Sequence, residues 1–251
     1  MTEDRVWAEG LLVFYEVFKF LEEAVQRLKD RNEYFARFEK VLEGINRKEA
    51  FEADLQHYYG ENWRKTCYVV RPSLANYLKH LKILEEREPL RLLAYIYHMY
   101  MGLLSGGQII KKKRELKSRL SLGTSSFLSF IVPACVLGKA CGPDSQKSKS
   151  TLLGCAATDF SNIDGRTISS IKKDIAFTMN DIAEDLSKDE RKSLMEESIK
   201  VFEWNNQVVS TIEVSWFSAI SNIATNPFVA SFLLAFLGFM WYLLFLRWVD
   251  D

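Results

Sequence analysis

Three glycines, Gly102, Gly106 and Gly107, lie within six positions of a segment whose apolar residues continue at helical spacing on both sides. Each glycine inside a helix costs about 1 kcal/mol relative to alanine, so the segment accepts about 3 kcal/mol of local instability. Gly102 and Gly106 are four residues apart and share one helix face, which Met99 and Leu103 flank. A face without Cβ atoms lets a flat ligand lie almost against the backbone and permits a kink. The alternatives are tight helix packing, or a helix that ends at Gly106-Gly107.

The cysteines do not form a recognisable metal or disulfide pattern. The chain has four of them, Cys67, Cys135, Cys141 and Cys155, which are too few and too unevenly spaced for a disulfide framework. The spacing of Cys135 and Cys141, with no histidine nearby, matches no zinc site. We therefore expect reduced thiols in the cytosol.

The spacing of the apolar residues is helical throughout, and the fold class is all-α. Apolar spacing, prolines and a Ser187-to-Glu190 capping box predict helices at 4–28, 46–59, 72–87, 89–120 and 187–212. Residues 121–170 are rich in Ser, Gly and Lys and are expected to form an irregular connection. We expect one helical domain over residues 1–225.

Residues 228–246 form an uncharged apolar run of 19 residues. At 1.5 Å per residue this run is about 28 Å long, close to the thickness of the hydrocarbon core of a bilayer. No N-terminal signal peptide is recognisable, and only five residues follow the run. The sequence thus predicts a C-terminal transmembrane tail anchor with the helical domain on the cytosolic face. A buried core helix is the alternative.

The overall composition narrows the class of protein. The chain has 251 residues, of which 33 are Lys or Arg and 33 are Asp or Glu. A neutral chain argues against a nucleic-acid surface, which usually needs a basic face. The charged and aromatic fractions, 26% and 13%, exclude a disordered or fibrous chain.

The residues around the glycines resemble the distal-helix signature of the haem oxygenases. The matching residues are Tyr97, Tyr100, Gly102, Leu104, Ser105, Gly106, Gly107 and Gln108, followed by the basic run 111–113. Segments 15–23, 47–54 and 59–63 resemble the preceding helices of the family, and 196–207 resembles its last core helix. The tail anchor is shared with animal members, and the short N-terminus and altered distal helix are insect-like.

The resemblance implies a membrane-bound enzyme of the endoplasmic reticulum that opens haem to biliverdin, CO and iron. It would use O2 and electrons from an NADPH-dependent cytochrome reductase, and it would bind no nucleic acid. By position, Gly102, Gly106 and Gly107 would be the haem-facing backbone, and Tyr15 and Asn205 would belong to a water network. The remaining haem contacts implied by the family are Tyr97, Met99, Leu103, Ser105, Phe202, Lys172 and Lys173. Lys172 and Lys173 could equally be a solvated pair at the start of a helix.

Two departures from the family pattern leave the activity open. The family has an acidic residue after the first glycine, where this chain has Leu103, and usually an arginine where it has Met99. The axial histidine of the family lies on a helix upstream of the one beginning near Asp4, and this chain begins about one helix too late to contain it. His57 and His80 are expected at or near the surface, and His98 lies where the family has no ligand.

No axial ligand can therefore be assigned. Two interpretations follow: a haem oxygenase whose sequence is given in shortened form, or a catalytically weakened or inactive haem-binding or regulatory variant. A tail-anchored helical adaptor unrelated to haem would require the signature to be accidental.

Overall fold

The computed structural model describes residues 2–66, 71–112, 114, 154–160, 163 and 165–212, and this part of the chain is all-helical, as predicted. The α-helices are α1 (Thr2–Leu28), α2 (Glu33–Leu42), α3 (Lys48–Tyr59), α4 (Trp63–Thr66), α5 (Pro72–Arg87), α6 (Leu92–Gly102), α7 (Ile168–Asp185) and α8 (Lys188–Val209). Short 3-10 turns cover Pro89–Arg91 and Ala156–Thr158, and a π-helical turn covers Leu103–Gly107.

The first helix, α1, begins two residues before the predicted start. Its apolar stripe is buried as the spacing predicted, with Val17, Phe18 and Leu21 at most 2% exposed. The ring of Phe18 packs against Phe51 of α3 and Tyr100 of α6, at centroid distances of 5.1 and 5.4 Å. This contact joins the first helix to the glycine-containing one.

Helix α3 begins at Lys48, two residues later than predicted. Its first turn is capped from outside, because the carboxylate of Glu22 accepts the backbone N–H groups of Arg47 at 2.6 Å and Lys48 at 3.2 Å. The same carboxylate accepts a hydrogen bond from the hydroxyl of Tyr100 at 2.8 Å. Gly60 ends the helix as predicted, with a φ of +81° that an L-residue rarely adopts.

Helix α2 was not predicted from the sequence. The side chain of Asn32 accepts a hydrogen bond from the backbone N–H of Tyr34 and so caps the helix. Phe35, Phe38 and Leu42 are buried on one face of this helix. A run of only ten residues gave too few periods for the apolar spacing to stand out.

The connection predicted to be irregular over residues 121–170 is described at 154–160, 163 and from 165 onward. The 3-10 turn Ala156–Thr158 is buried at Ala157 and Thr158, and α7 begins at Ile168 after a Thr167 cap. The predicted capping box is present: Ser187 and Glu190 exchange side-chain-to-backbone hydrogen bonds at the start of α8.

Residues 8–211 form one compact unit within the helical domain predicted over residues 1–225. The end of the predicted domain, from residue 213 onward, lies outside the described residues, so its boundary stays a prediction. Among the described residues there is no helix long and apolar enough to cross a membrane. The predicted transmembrane segment, 228–246, lies outside those residues.

Candidate functional site

The helix that carries the glycines changes its hydrogen bonding where they occur. Helix α6 ends at Gly102, a π turn follows over Leu103–Gly107, and α-helix resumes over residues 108–112. We call residues 92–112 the glycine helix. A π turn bonds residues five apart, bulges the helix and is common at functional sites. The helix therefore bends at the glycines rather than ending there, as the apolar spacing predicted.

Two of the three glycines leave their side of the helix open. A Cβ atom built on Gly102 or Gly106 would meet no atom of the described residues within 4 Å, and we call this side the glycine face. Gly107 points elsewhere, because its Cβ would lie 3.1 Å from Cγ2 of Thr158. Close packing is thus seen at Gly107, against Thr158. The exposed backbone expected for a flat ligand is present at Gly102 and Gly106.

A cavity of about 460 Å³ lies between the glycine helix and the start of α7. We call it the lysine cavity, because Lys112 and Lys172 line it together with Leu104, Ser105, Gln108, Ile109, Ile168 and Ser169. Neither lysine has an ion-pair partner among the described residues. Two cations beside serine and glutamine side chains suit an anionic group, and the volume is within the usual range for a ligand site. Lys173 is exposed and does not line the cavity.

Aromatic side chains stand beside the glycine face. Phe202 of α8 is 58% exposed, and its ring meets the ring of His98 edge-on at a centroid distance of 5.1 Å. Tyr97 is half-buried, and its ring also meets the ring of His98 edge-on, at a centroid distance of 5.1 Å. His98 is one turn before Gly102 on the glycine helix. An exposed phenylalanine at this position is suited to be the wall of an apolar ligand site, as the resemblance implied.

A short polar chain lies behind the glycine helix. The hydroxyl of Tyr77 donates to Oδ1 of Asn205 at 3.2 Å, and Nδ2 of Asn205 contacts the thioether sulfur of Met99 at 3.4 Å. Burial raises the pKa of Tyr77 far above its ordinary value, so its hydroxyl stays a neutral donor. Asn205 and Met99, both expected at the site, are thus brought together, and Tyr77 is a partner that the sequence analysis missed.

Tyr15 is not part of the polar chain formed by Tyr77, Asn205 and Met99. Its hydroxyl donates to Glu52 at 2.6 Å and accepts from Arg64 at 3.1 Å, and its ring packs edge-on against Trp63. Burial, together with the carboxylate of Glu52, raises the pKa of Tyr15 to about 12. The structure therefore does not place Tyr15 with Asn205 in one direct hydrogen-bonded network.

The histidines have three different surroundings. His57 is exposed, and its ring meets that of Tyr58 edge-on. His80 is half-buried, as expected, with Nε2 2.6 Å from the carboxylate of Glu197. His98 is half-buried between aromatic edges, and burial lowers its pKa. Within the described residues, no group of three or more His, Cys, Asp or Glu side chains could hold a metal ion.

The other two expected contacts lie on the π turn. Leu103 is half-buried at its start, and its Cδ1 is 3.3 Å from the position of a Cβ on Gly107. Ser105 is exposed and lines the lysine cavity. Of the four cysteines, Cys155 is described and is a buried free thiol. Lys112 was not predicted as a site residue by itself, although the basic run 111–113 that contains it could have indicated it.

The fold and the site together define an all-helical protein that offers exposed backbone to a flat ligand and two lysines to an anionic group. The chain belongs to the haem oxygenase family, because the family model described as Heme oxygenase matches residues 2–211.

Curated relatives agree with the family assignment. Haem oxygenase 1 of Synechocystis sp. is 34% identical over 120 residues, which cover 46% of this chain and 47% of the relative. Haem oxygenase 2 of Macaca fascicularis is 29% identical over 199 residues, which cover 79% of this chain and 52% of the relative. The chain thus spans about half the length of these curated relatives.

Solved structures confirm the fold. Haem oxygenase-1 from Synechocystis, solved in complex with haem, superposes with a TM-score of 0.63 at 23% identity, covering 91% of this chain and 85% of that one. Haem oxygenase 2 from Chlamydomonas reinhardtii, solved without haem, gives a TM-score of 0.62 at 24% identity, covering 83% and 82%.

Proposed function

We propose that this chain binds haem across the glycine face and opens it to biliverdin, CO and iron. The observation that carries the proposal is the open backbone at Gly102 and Gly106, together with a cavity whose two lysines have no ion-pair partner in the described part of the chain. An apolar plate with two carboxylates fits both features, since the plate needs a surface without side chains and the carboxylates need cations. The haem complex of the Synechocystis relative supports the choice of ligand.

When bound, haem supplies an iron that reacts with O2, and electrons would come from an NADPH-dependent reductase. The protein contributes orientation and polarity. Gly102 and Gly106 set how closely the plate approaches the helix, and Lys112 with Lys172 fixes its rotation through the two carboxylates. Phe202 closes the side of the site and excludes water.

Proton supply is the weak point of the site. Leu103, at the position after the first glycine, can neither hold a water molecule nor release a proton. Tyr77 and Asn205 are polar groups close to the glycine helix through Met99, and they are the candidates to hold water there. The amide of Asn205 accepts and donates hydrogen bonds without ionising, so it orients water rather than supplying protons.

One observation favours a second candidate function, a haem-binding variant with weak or no turnover, and that observation is Leu103 itself. In this form the protein would bind haem without degrading it.

We further propose attachment to the cytosolic face of the endoplasmic reticulum through residues 228–246. The apolar length of this segment supports the proposal. Membrane attachment would place the domain on the same surface as a membrane-bound reductase.

Titration of the full chain with ferric haem tests the binding proposal. We expect a Soret shift for the native chain, and a loss of at least tenfold in affinity for Gly106→Leu, because the new side chain enters the open face without striking a neighbour. Asn76→Leu adds the same group at an exposed position on α5 and should bind normally. Equal binding by the native chain and Gly106→Leu would contradict the proposal. Adding reductase and NADPH separates the two functions, since biliverdin forms only in the first.

A further inference from the structure

A short segment behind the glycine helix makes more contacts than its length suggests. We call residues 154–160 the bracing segment. On the side of the glycine helix, Nε2 of Gln108 donates to the carbonyl oxygen of Thr158 at 2.7 Å. Lys111 forms an ion pair with Asp159 at 2.7 Å. Both contacts hold the part of the helix that directly follows the π turn.

The other side of the bracing segment is anchored to α3. The carboxylate of Asp54, which is 1% exposed, accepts the backbone N–H groups of Ala156 at 2.7 Å and Ala157 at 2.9 Å. The hydroxyl of Tyr58 donates to the carbonyl oxygen of Gly154 at 3.1 Å. A buried carboxylate that satisfies two N–H groups fixes a turn firmly, because loss of either bond would leave a buried donor without a partner.

The bracing segment leaves little room for a side chain at Gly107 of the π turn. A Cβ there would lie 3.1 Å from Cγ2 of Thr158, tighter than ordinary van der Waals contact. Thr158 has little room to move: it is 1% exposed, its side chain is stiff at χ1, and its hydroxyl donates to the carbonyl oxygen of Cys155 at 3.2 Å. The third glycine is therefore needed for the bracing segment, whereas Gly102 and Gly106 are needed for the open face.

We propose that the bracing segment is a positioning element for the haem site, in which Thr158, carried by a turn that Asp54 holds through Ala156 and Ala157, packs against Gly107 and fixes the bulge of the π turn. The bulge determines how Gly102 and Gly106 present their backbone, so Thr158 and Asp54 act on the ligand through the helix without touching it. This inference rests on the proposed haem function of the glycine face.

The test is a rescue experiment on the full chain. Gly107→Ala should weaken ferric haem binding by at least tenfold and move the Soret maximum, because the new methyl group displaces the π turn from Thr158. Thr158→Ser removes only Cγ2 and keeps the hydroxyl, so the double variant Gly107→Ala/Thr158→Ser should regain most of the affinity and the native spectrum. Thr158→Ser should not rescue Gly106→Leu, whose side chain points to the open face.

A second variant covers the case in which Gly107→Ala does not fold. Asp54→Asn keeps the side-chain size but offers one acceptor oxygen in place of two, so one N–H group of the bracing segment loses its partner. It should shift the Soret maximum and, if the enzyme turns over, change the distribution of biliverdin isomers. A purely structural role would lower the melting temperature and leave both signals unchanged, and that result would overturn the inference.

The outcomes also separate this inference from the proposed function. If Gly106→Leu impairs haem binding while Gly107→Ala binds with native affinity and spectrum, the positioning role is wrong and the haem site stands. The positioning role is also wrong if Gly107→Ala folds and the added Thr158→Ser substitution does not restore its haem affinity. If neither glycine variant changes haem binding, the proposed function fails, and the inference fails with it.

Discussion

At the residue scale, Leu103 is the side chain with the largest consequence for chemistry. It is half-buried at the first position of the π turn, between the two open glycines. A branched alkyl group there repels water from the place where a ligand on the glycine face would need protons. We therefore expect the native chain to bind haem but to convert it to biliverdin slowly.

Leu103→Asp should raise the yield of biliverdin severalfold in the presence of reductase and NADPH. A carboxylate at this position can hold a water molecule and exchange protons with it. Biliverdin absorbance under single-turnover conditions is the measurement. Leu103→Asn, which holds water but releases no proton, is the matched control and should gain less. No gain for Leu103→Asp would show that another group already supplies the proton.

Residue types revealed the open part of the site, and contacts between distant segments revealed the rest. Gly102 and Gly106 stand out in the sequence because glycine is unfavourable inside a helix. Thr158 and Asp54 are ordinary residues 104 positions apart by number, and only the fold makes them neighbours through Ala156 and Ala157. Of the two predicted haem contacts, Lys172 lines the lysine cavity and Lys173 does not, because adjacent residues on a helix face different directions.

At the element scale, one buried carboxylate joins three parts of the helical unit. Glu197 of α8 is fully buried, and it accepts hydrogen bonds from Tyr95 of α6 at 2.7 Å and Lys200 at 3.0 Å. His80 of α5 lies 2.6 Å from the same carboxylate. Burial raises the pKa of Glu197, but these hydrogen bonds outweigh burial and lower it from 4.5 to about 2. Glu197 is therefore ionised at neutral pH.

Glu197→Gln should destabilise the protein by about 3–5 kcal/mol at pH 7, the usual cost of breaking a buried ion pair. Because the folded-state pKa is lowered, the stabilisation by Glu197 is complete above pH 4.5 and is lost as the pH falls towards 2. The difference from the native chain should accordingly be smaller at pH 3 than at pH 7. Urea unfolding at both values is the measurement.

The neighbouring residue provides the control. The side chain of Glu196 is 58% exposed, so Glu196→Gln should change the free energy of unfolding by no more than about 0.5 kcal/mol. Similar losses for the two variants would refute the view that the buried carboxylate, and not the charge of α8, joins these helices.

Helix prediction succeeded where local signals are strong and failed where distant contacts decide. The bounds of α5 were predicted correctly from Pro72 to Arg87, and α8 was located by its capping box. The start of α3 was misplaced because its first turn is capped by Glu22, a residue of another helix. The π turn was foreseen only as a kink, since no local pattern distinguishes a five-residue hydrogen-bond step from other distortions.

At the scale of the whole molecule, the chain combines a neutral composition with a strongly apolar C-terminal run. Anionic lipid would attract a basic surface, and a neutral chain has little such attraction. Attachment to a membrane would therefore depend on the run 228–246 alone.

The full chain mixed with neutral phosphatidylcholine vesicles should float with them in a density gradient. Leu237→Arg, at the centre of the run, should cost about 2.5–3.5 kcal/mol of insertion free energy and shift the chain towards the fraction that contains no vesicles. Arg247→Leu, at the edge of the run, should float like the native chain. Flotation unaffected by Leu237→Arg would contradict the anchor.

The five-residue hydrogen-bond step at Leu103–Gly107 holds one more amino acid than a regular turn would. The additional amino acid is accommodated within that one turn, so the residues on either side point in nearly the directions they would have in a regular helix one residue shorter. Loss of a single codon here would therefore let the helix become regular and leave Lys111 beside Asp159 and Lys112 beside the cavity that it now lines. The bulge at the glycines would disappear instead. A gene that keeps every chemical group could thus still lose the shape of the site through a one-residue change in length.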